Sequence, residues 1–131
     1  MPPNARTPLP TLDHLRDALR EFARERDWEQ FHSPKNLAIA LAVEAAEILE
    51  PLQWMSEEES SSPAPKVRAA LAEELADVLI YLVRLADRLD VDLLEAASSK
   101  LEGNARKYPV ERSKGSARKY TDLPDPQKGE S

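Results

Sequence analysis

At 131 residues with no cysteine, the chain has the length of one domain and can form neither a disulfide framework nor a thiolate metal site. Its net charge of −6 argues against a duplex-DNA ligand, which needs clustered Lys and Arg. No window reaches the roughly 18 apolar residues of a membrane span, and the N-terminus carries no apolar signal core, so the expectation is a soluble, cytoplasmic protein without membrane or nucleic-acid partners.

Residues 1–10 hold four prolines and no periodic pattern, which predicts a flexible leader. Thr11 can cap a first helix in which Leu12, Leu15, Leu19, Phe22 and Ala23 recur at helical spacing. After an interruption from Asp27 to Ser33, Ser33-Pro34 has the form of an N-cap followed by proline at the first helical position. The second helix, NLAIALAVEAAEILE, is apolar nearly all round, as expected of a helix buried in a bundle or an oligomer interface. Pro51 should kink or stop it, and SEEESSSPAP at 56–65 reads as a loop.

A third helix from about Lys66 to Leu89 carries the stripe Leu71, Leu75, Val78, Leu79, Leu82, Leu85 and Leu89. Asp90-Val91-Asp92 breaks it, Asp92 can cap a fourth helix running to about Lys107, and Pro109 prevents continuation. The fold expectation is therefore all-α, a four-helix bundle of antiparallel helices over residues 11–108, followed by a basic and then polar tail at 109–131. The charge is uneven. Between Lys100 and Tyr120 seven basic residues face two acidic ones, a local balance of +5, which leaves −11 for the remainder. Such a chain can set cations beside an acidic centre, as a polyphosphate substrate requires, or it can simply end in a solvated basic tail.

Glu44 and Glu47 stand three apart on the second helix, and Glu74 and Asp77 three apart on the third, so each pair projects from one helix face. In such apolar surroundings unpaired carboxylates cost several kcal/mol, on the order of a buried ion. Four converging carboxylates make a hard-cation site, for which Mg²⁺ is the default and Mn²⁺ the alternative once phosphates complete the shell. The competing reading is ordinary solvated helix acids on a helical interaction module whose apolar second helix binds a partner. A di-iron site needs Glu-x-x-His pairs, and neither His14 nor His32 supplies one.

With EAAE at 44–47 and ELAD at 74–77, the sequence resembles the MazG-like all-α nucleoside triphosphate pyrophosphohydrolases, whose signature is ExxE followed by ExxD. The strings ERDWEQFHSPKNLAIAL, LQWMS, EELADVLIYLVRLAD and SKLEGNARKYPVERSKGSARKYTDL look like the dCTP pyrophosphatase branch over about residues 11–123. The resemblance implies Mg²⁺-dependent hydrolysis of dCTP or a modified dCTP to the monophosphate and pyrophosphate, and a homotetramer assembled from dimers. It implies that Glu44, Glu47, Glu74 and Asp77 hold the metal and carry catalysis. It further places Lys100, Asn104 and Lys107 near phosphate and sugar, and Arg118 and Lys119 over the phosphates. Trp28, Trp54 and Tyr81, scarce rings in a chain only 5% aromatic, are expected in the base pocket with His32 in the same segment. One departure matters. A histidine on the first helix approaches the base in the cytosine-selective members, and the matching position here is Leu19, which leaves open a broad house-cleaning triphosphatase without cytosine preference.

Overall fold

A computed structural model describes residues 7–123; the first six positions of the expected leader and the polar end of the tail, 124–131, lie outside the described residues. Among the described residues there are six α-helices and no strand. The four long ones are α1 (Leu12–Glu25), α2 (Pro34–Leu52), α4 (Pro65–Arg88) and α5 (Leu93–Lys107); α3 (Glu57–Ser61) and α6 (Val110–Ser113) are short. The chain divides at the Val91–Asp92 junction into two compact units.

The predicted caps form. Thr11, Ser33 and Asp92 each accept the backbone N–H three residues on, at 3.1, 3.1 and 3.0 Å, so each start position was written in one polar side chain. Pro51 lies inside the last turn of α2, where it leaves the Glu47 carbonyl without its helical donor, and the ladder closes with Gln53 N–H donating to Leu49 C=O at 2.8 Å. Two expectations need correction. Residues 56–65 are not all loop, because Ser56 caps Glu59 at 3.1 Å and three glutamates in the first turn favour the positive end of a helix dipole, giving α3. The basic part of the tail, which the sequence predicts to be irregular, also holds regular structure: α6 follows Pro109, and a 3-10 turn spans Tyr120–Asp122.

In the first unit α2 packs along α4, and α1 makes a smaller contact with α4. The core is narrow: Ala23, Leu37, Val83 and Ala86 are its buried apolar residues, with Leu123 buried in the second unit. On α4 the most deeply buried positions are Val83, Arg84 and Ala86 rather than the leucine stripe. Leu75, Leu79 and Leu82 of that stripe, with Ile39, Val43 and Leu49 of α2, stay exposed in the single chain.

Both α1 and α4 end in the same way. Asp27 and Asp90 adopt left-handed backbone at φ 53° and 55°, a region that glycine usually fills. At the first end Trp28 N–H donates to Ala23 C=O (2.9 Å) and Asp27 N–H to Arg24 C=O (3.1 Å); at the second, Val91 donates to Ala86 (2.8 Å) and Asp90 to Asp87 (3.2 Å). This paired pattern is a Schellman motif, and it satisfies carbonyls that a helix end would otherwise leave open. Its usual apolar partner contact is present at α1, where the Trp28 ring meets Phe22 edge-on at 5.7 Å.

Candidate metal and substrate site

Because residues three apart share a helix face, the packing of α2 on α4 can turn two sequence-distant acid pairs toward one another. Oxygens of Glu44, Glu74 and Asp77 come within 4.8 Å of one another, near enough for one ion. Glu47 lies outside that trio but close enough to disfavour ionisation of both Glu44 and Glu74. Oε2 of Glu44 and Oε2 of Glu74 are shut away from solvent with no partner, although such atoms in native proteins are nearly always satisfied.

Burial pushes the Glu74 carboxyl up to about 7, with the neighbouring carboxyls of Glu47 and Glu44 adding to the effect. Glu44 is raised as well, first by burial and then by Glu47. Two half-buried carboxyls that resist ionisation and end in orphaned oxygens fit a hard divalent cation, whose charge would reverse both effects.

A second group lies at the end of α1 and the turn that follows. Trp28 stands edge-on to His32 with centroids 6.4 Å apart, and remains 44% exposed, so one face is available to a flat ligand. His32 Nδ1 accepts a hydrogen bond from Arg84 Nε at 3.1 Å. Arg84 Nη1 donates to Asp87 Oδ2 at 3.4 Å, and Asp87 also accepts from Arg20 Nε (2.7 Å) and Nη2 (2.5 Å). Sequence reasoning missed this network. The available signal was an arginine inside the apolar run LVRLAD with an acid three residues on.

The other expected site residues fall on several elements of the two units. Tyr81 is half-buried on α4, one turn past Asp77, whereas Trp54 follows α2 and is 88% exposed. Lys100, Asn104 and Lys107 recur at helical spacing on α5, and the Lys107 ammonium sits 5.0 Å above the Tyr120 ring. Arg118 and Lys119 are exposed ahead of the final 3-10 turn. A polar cleft of about 720 Å³ beside Arg84 and Arg20 is lined by four arginines and four acids, so it offers no net charge to a triphosphate.

The sequence profile of the MazG-like family matches residues 39–123, a span that contains all four acids and both motifs. The chain belongs to the MazG-like family. Among curated members, dCTP pyrophosphatase 1 of Mus musculus is 57% identical over 120 residues, covering 90% of this chain and 71% of that protein. The Homo sapiens protein of the same name is 52% identical over the same shares of both chains. Among solved structures, a pyrophosphatase from Archaeoglobus fulgidus superposes with a TM-score of 0.72 at 40% identity, covering 81% of this chain and 99% of that one. The all-α MazG-like fold expected from the motifs is thus the fold observed.

Proposed function

We propose that this MazG-like chain hydrolyses dCTP, or a dCTP modified on the base, to the nucleoside monophosphate and pyrophosphate with Mg²⁺ as cofactor and Mn²⁺ as substitute. The observation that carries the reading is the carboxylate trio of Glu44, Glu74 and Asp77 with its two orphaned oxygens, in a chain more than half identical to named dCTP pyrophosphatases. A divalent cation there would supply the Lewis-acid charge that draws in the phosphates and stabilises the departing pyrophosphate.

The rest falls to the chain's own side chains. Water adds to the α-phosphorus as the bridging oxygen toward the β-phosphorus leaves. Glu47, beside both Glu44 and Glu74 but outside the trio, is the group assigned to take the water's proton. Lys100, Asn104, Lys107, Arg118 and Lys119 are assigned to the phosphates and sugar, and Trp28, His32, Trp54 and Tyr81 to the base. Residues 11–108 form the catalytic domain in this reading and 109–131 its basic tail, acting on free nucleotides in the cytoplasm.

The uncovered leucine, isoleucine and valine residues of α2 and α4 support a homo-oligomer, a tetramer built from dimers, because large exposed apolar surface marks an interface. Light scattering on the eluting protein reads the assembly directly. Leu19, in place of the histidine expected beside cytosine, favours a second reading in which the same reaction runs with little base preference. The test is pyrophosphate release from a panel of standard and methylated triphosphates with Mg²⁺, ranked by kcat/KM. The first reading expects dCTP or 5-methyl-dCTP at the top; a flat panel selects the second, and no release from any nucleotide ends both.

A further inference from the structure

Arg84 is only 5% exposed, a position where an ionised guanidinium is strongly disfavoured unless counter-charge surrounds it. Its carboxylate partner Asp87 is shared, since Asp87 also takes two hydrogen bonds from Arg20. Arg20 also meets Asp17 at 3.6 Å, Arg84 has the charge of Glu29 in its surroundings without a bond to it, and Arg84 Nη2 is buried without a partner. The remaining donor of Arg84, Nε–H, is directed at His32 Nδ1, 3.1 Å away.

A guanidinium has five N–H donors and no lone pair, so at this contact Nδ1 can only accept. In a neutral imidazole the proton then resides on Nε2. The charged groups acting on His32 are Arg84 and Arg88 from α4 and Glu29 from the turn, two positive against one negative, and both the burial and that balance disfavour a second proton on the ring. The one polar function left to His32 is a donor.

We propose that Arg84, clamped by Asp87 and Arg20, is a positioning residue that locks His32 in its Nε2–H form, so that the ring offers the substrate a hydrogen-bond donor and never an acceptor. The ligand atom it matches is a carbonyl oxygen or an unprotonated ring nitrogen of a nucleobase. The inference rests on the reading of Trp28 and His32 as part of the substrate wall.

The chain has two histidines, so long-range proton–nitrogen spectra of ¹⁵N-histidine protein, with His14→Gln for assignment, read the His32 tautomer directly. The expected wild-type spectrum near neutral pH has a pyridine-type Nδ1 and a protonated Nε2. An Nδ1–H form or an imidazolium overturns the proposal, whatever the catalytic activity. In Arg84→Met the two tautomers should interconvert, and KM for the best triphosphate should rise about 5- to 10-fold, the worth of one oriented hydrogen bond, with kcat changed less than about twofold. Arg84→Lys, which retains an N–H donor, should recover part of the tautomer bias and part of KM.

Should Arg84→Met fail to fold, Arg20→Gln loosens the same clamp from the exposed surface of α1 and should shift both readouts in the same direction. A unique Nε2–H signal in wild type together with an unchanged KM in His32→Ala overturns the substrate half of the proposal. Absence of any pyrophosphate release would defeat the enzymatic reading while the spectra still decide the tautomer.

Discussion

Replacing Asp87 by asparagine should cost this protein about 3 kcal/mol of folding stability, and the structure says where the loss arises. The Asp87 side chain is 10% exposed and lies between Arg84 at 6% and Arg20 at 51%. Asparagine keeps the shape and one acceptor oxygen but removes the charge. The Arg20 side then loses at most about 1 kcal/mol, as for surface ion pairs. Arg84 becomes a buried cation without a counter-ion, a situation worth about 3–5 kcal/mol in comparable sites. Arg84→Met removes that cation as well as the orphaned Nη2, so alone it should change stability by no more than about 1 kcal/mol, and the double variant should resemble Arg84→Met.

The coupling should thus be about 2 kcal/mol or more, measured by urea unfolding at pH 7 with equal slopes for all four proteins. The Arg20 bond holds the Asp87 carboxyl below its usual range. A depressed folded-state value contributes stability above the unfolded carboxylate pKa of about 3.9 and loses it as pH falls through the folded value. Wild type and Asp87→Asn should therefore converge in strong acid. Additive losses at pH 7, or an Asp87→Asn cost under about 1 kcal/mol, would refute the assignment of Arg84 as the burden on this cluster.

Three further outcomes follow from the site and the helix ends. Because Glu74 is raised to about 7, the metal-free protein should be fully stabilised by this group below about pH 4.5 and lose that contribution as pH rises through about 7; Mg²⁺ should restore Tm increasingly across the same window, with protons released on binding in calorimetry. Glu74→Gln should lower kcat at least about a hundredfold while leaving Tm of the metal-free protein at pH 8 unchanged or higher, a pairing that a merely structural glutamate would not give. Asp90→Gly should stabilise by about 0.5–1 kcal/mol in thermal unfolding, since glycine accepts φ 55° without the penalty an L side chain bears.

Much of the architecture could be read from the chain because it is written locally. Thr11, Ser33, Asp92 and Pro109 each mark a boundary through a bond made or missing within four residues, whereas Pro51 sits inside the last turn of α2. The acid pairs were likewise visible, as spacing of three puts Glu44 with Glu47 and Glu74 with Asp77 on common faces. Their meeting was not, because it depends on how α2 lies against α4, which no local pattern encodes; that packing left Glu47 outside the closest trio. Arg84 was hidden for a similar reason. Its partners are His32, 52 positions away, and Asp87, whose other partner Arg20 is 67 positions away, so within the sequence it looks like a solvated charge interrupting an apolar run. α3 was missed through the opposite error, a serine- and proline-rich stretch read by composition when its first four residues already spelled a cap and an acidic first turn.

The Schellman end of α1 also decides how freely this protein could change what it recognises. Trp28 leaves the helix in a direction fixed by two main-chain bonds and by the left-handed turn at Asp27, while its ring stays nearly half in solvent. Its aim is thus encoded in the backbone and its chemistry in a side chain whose ring neighbours are Phe22 and His32. A lineage could exchange that ring for another flat or polar group, altering what it prefers to hold, with little disturbance to the helices behind it.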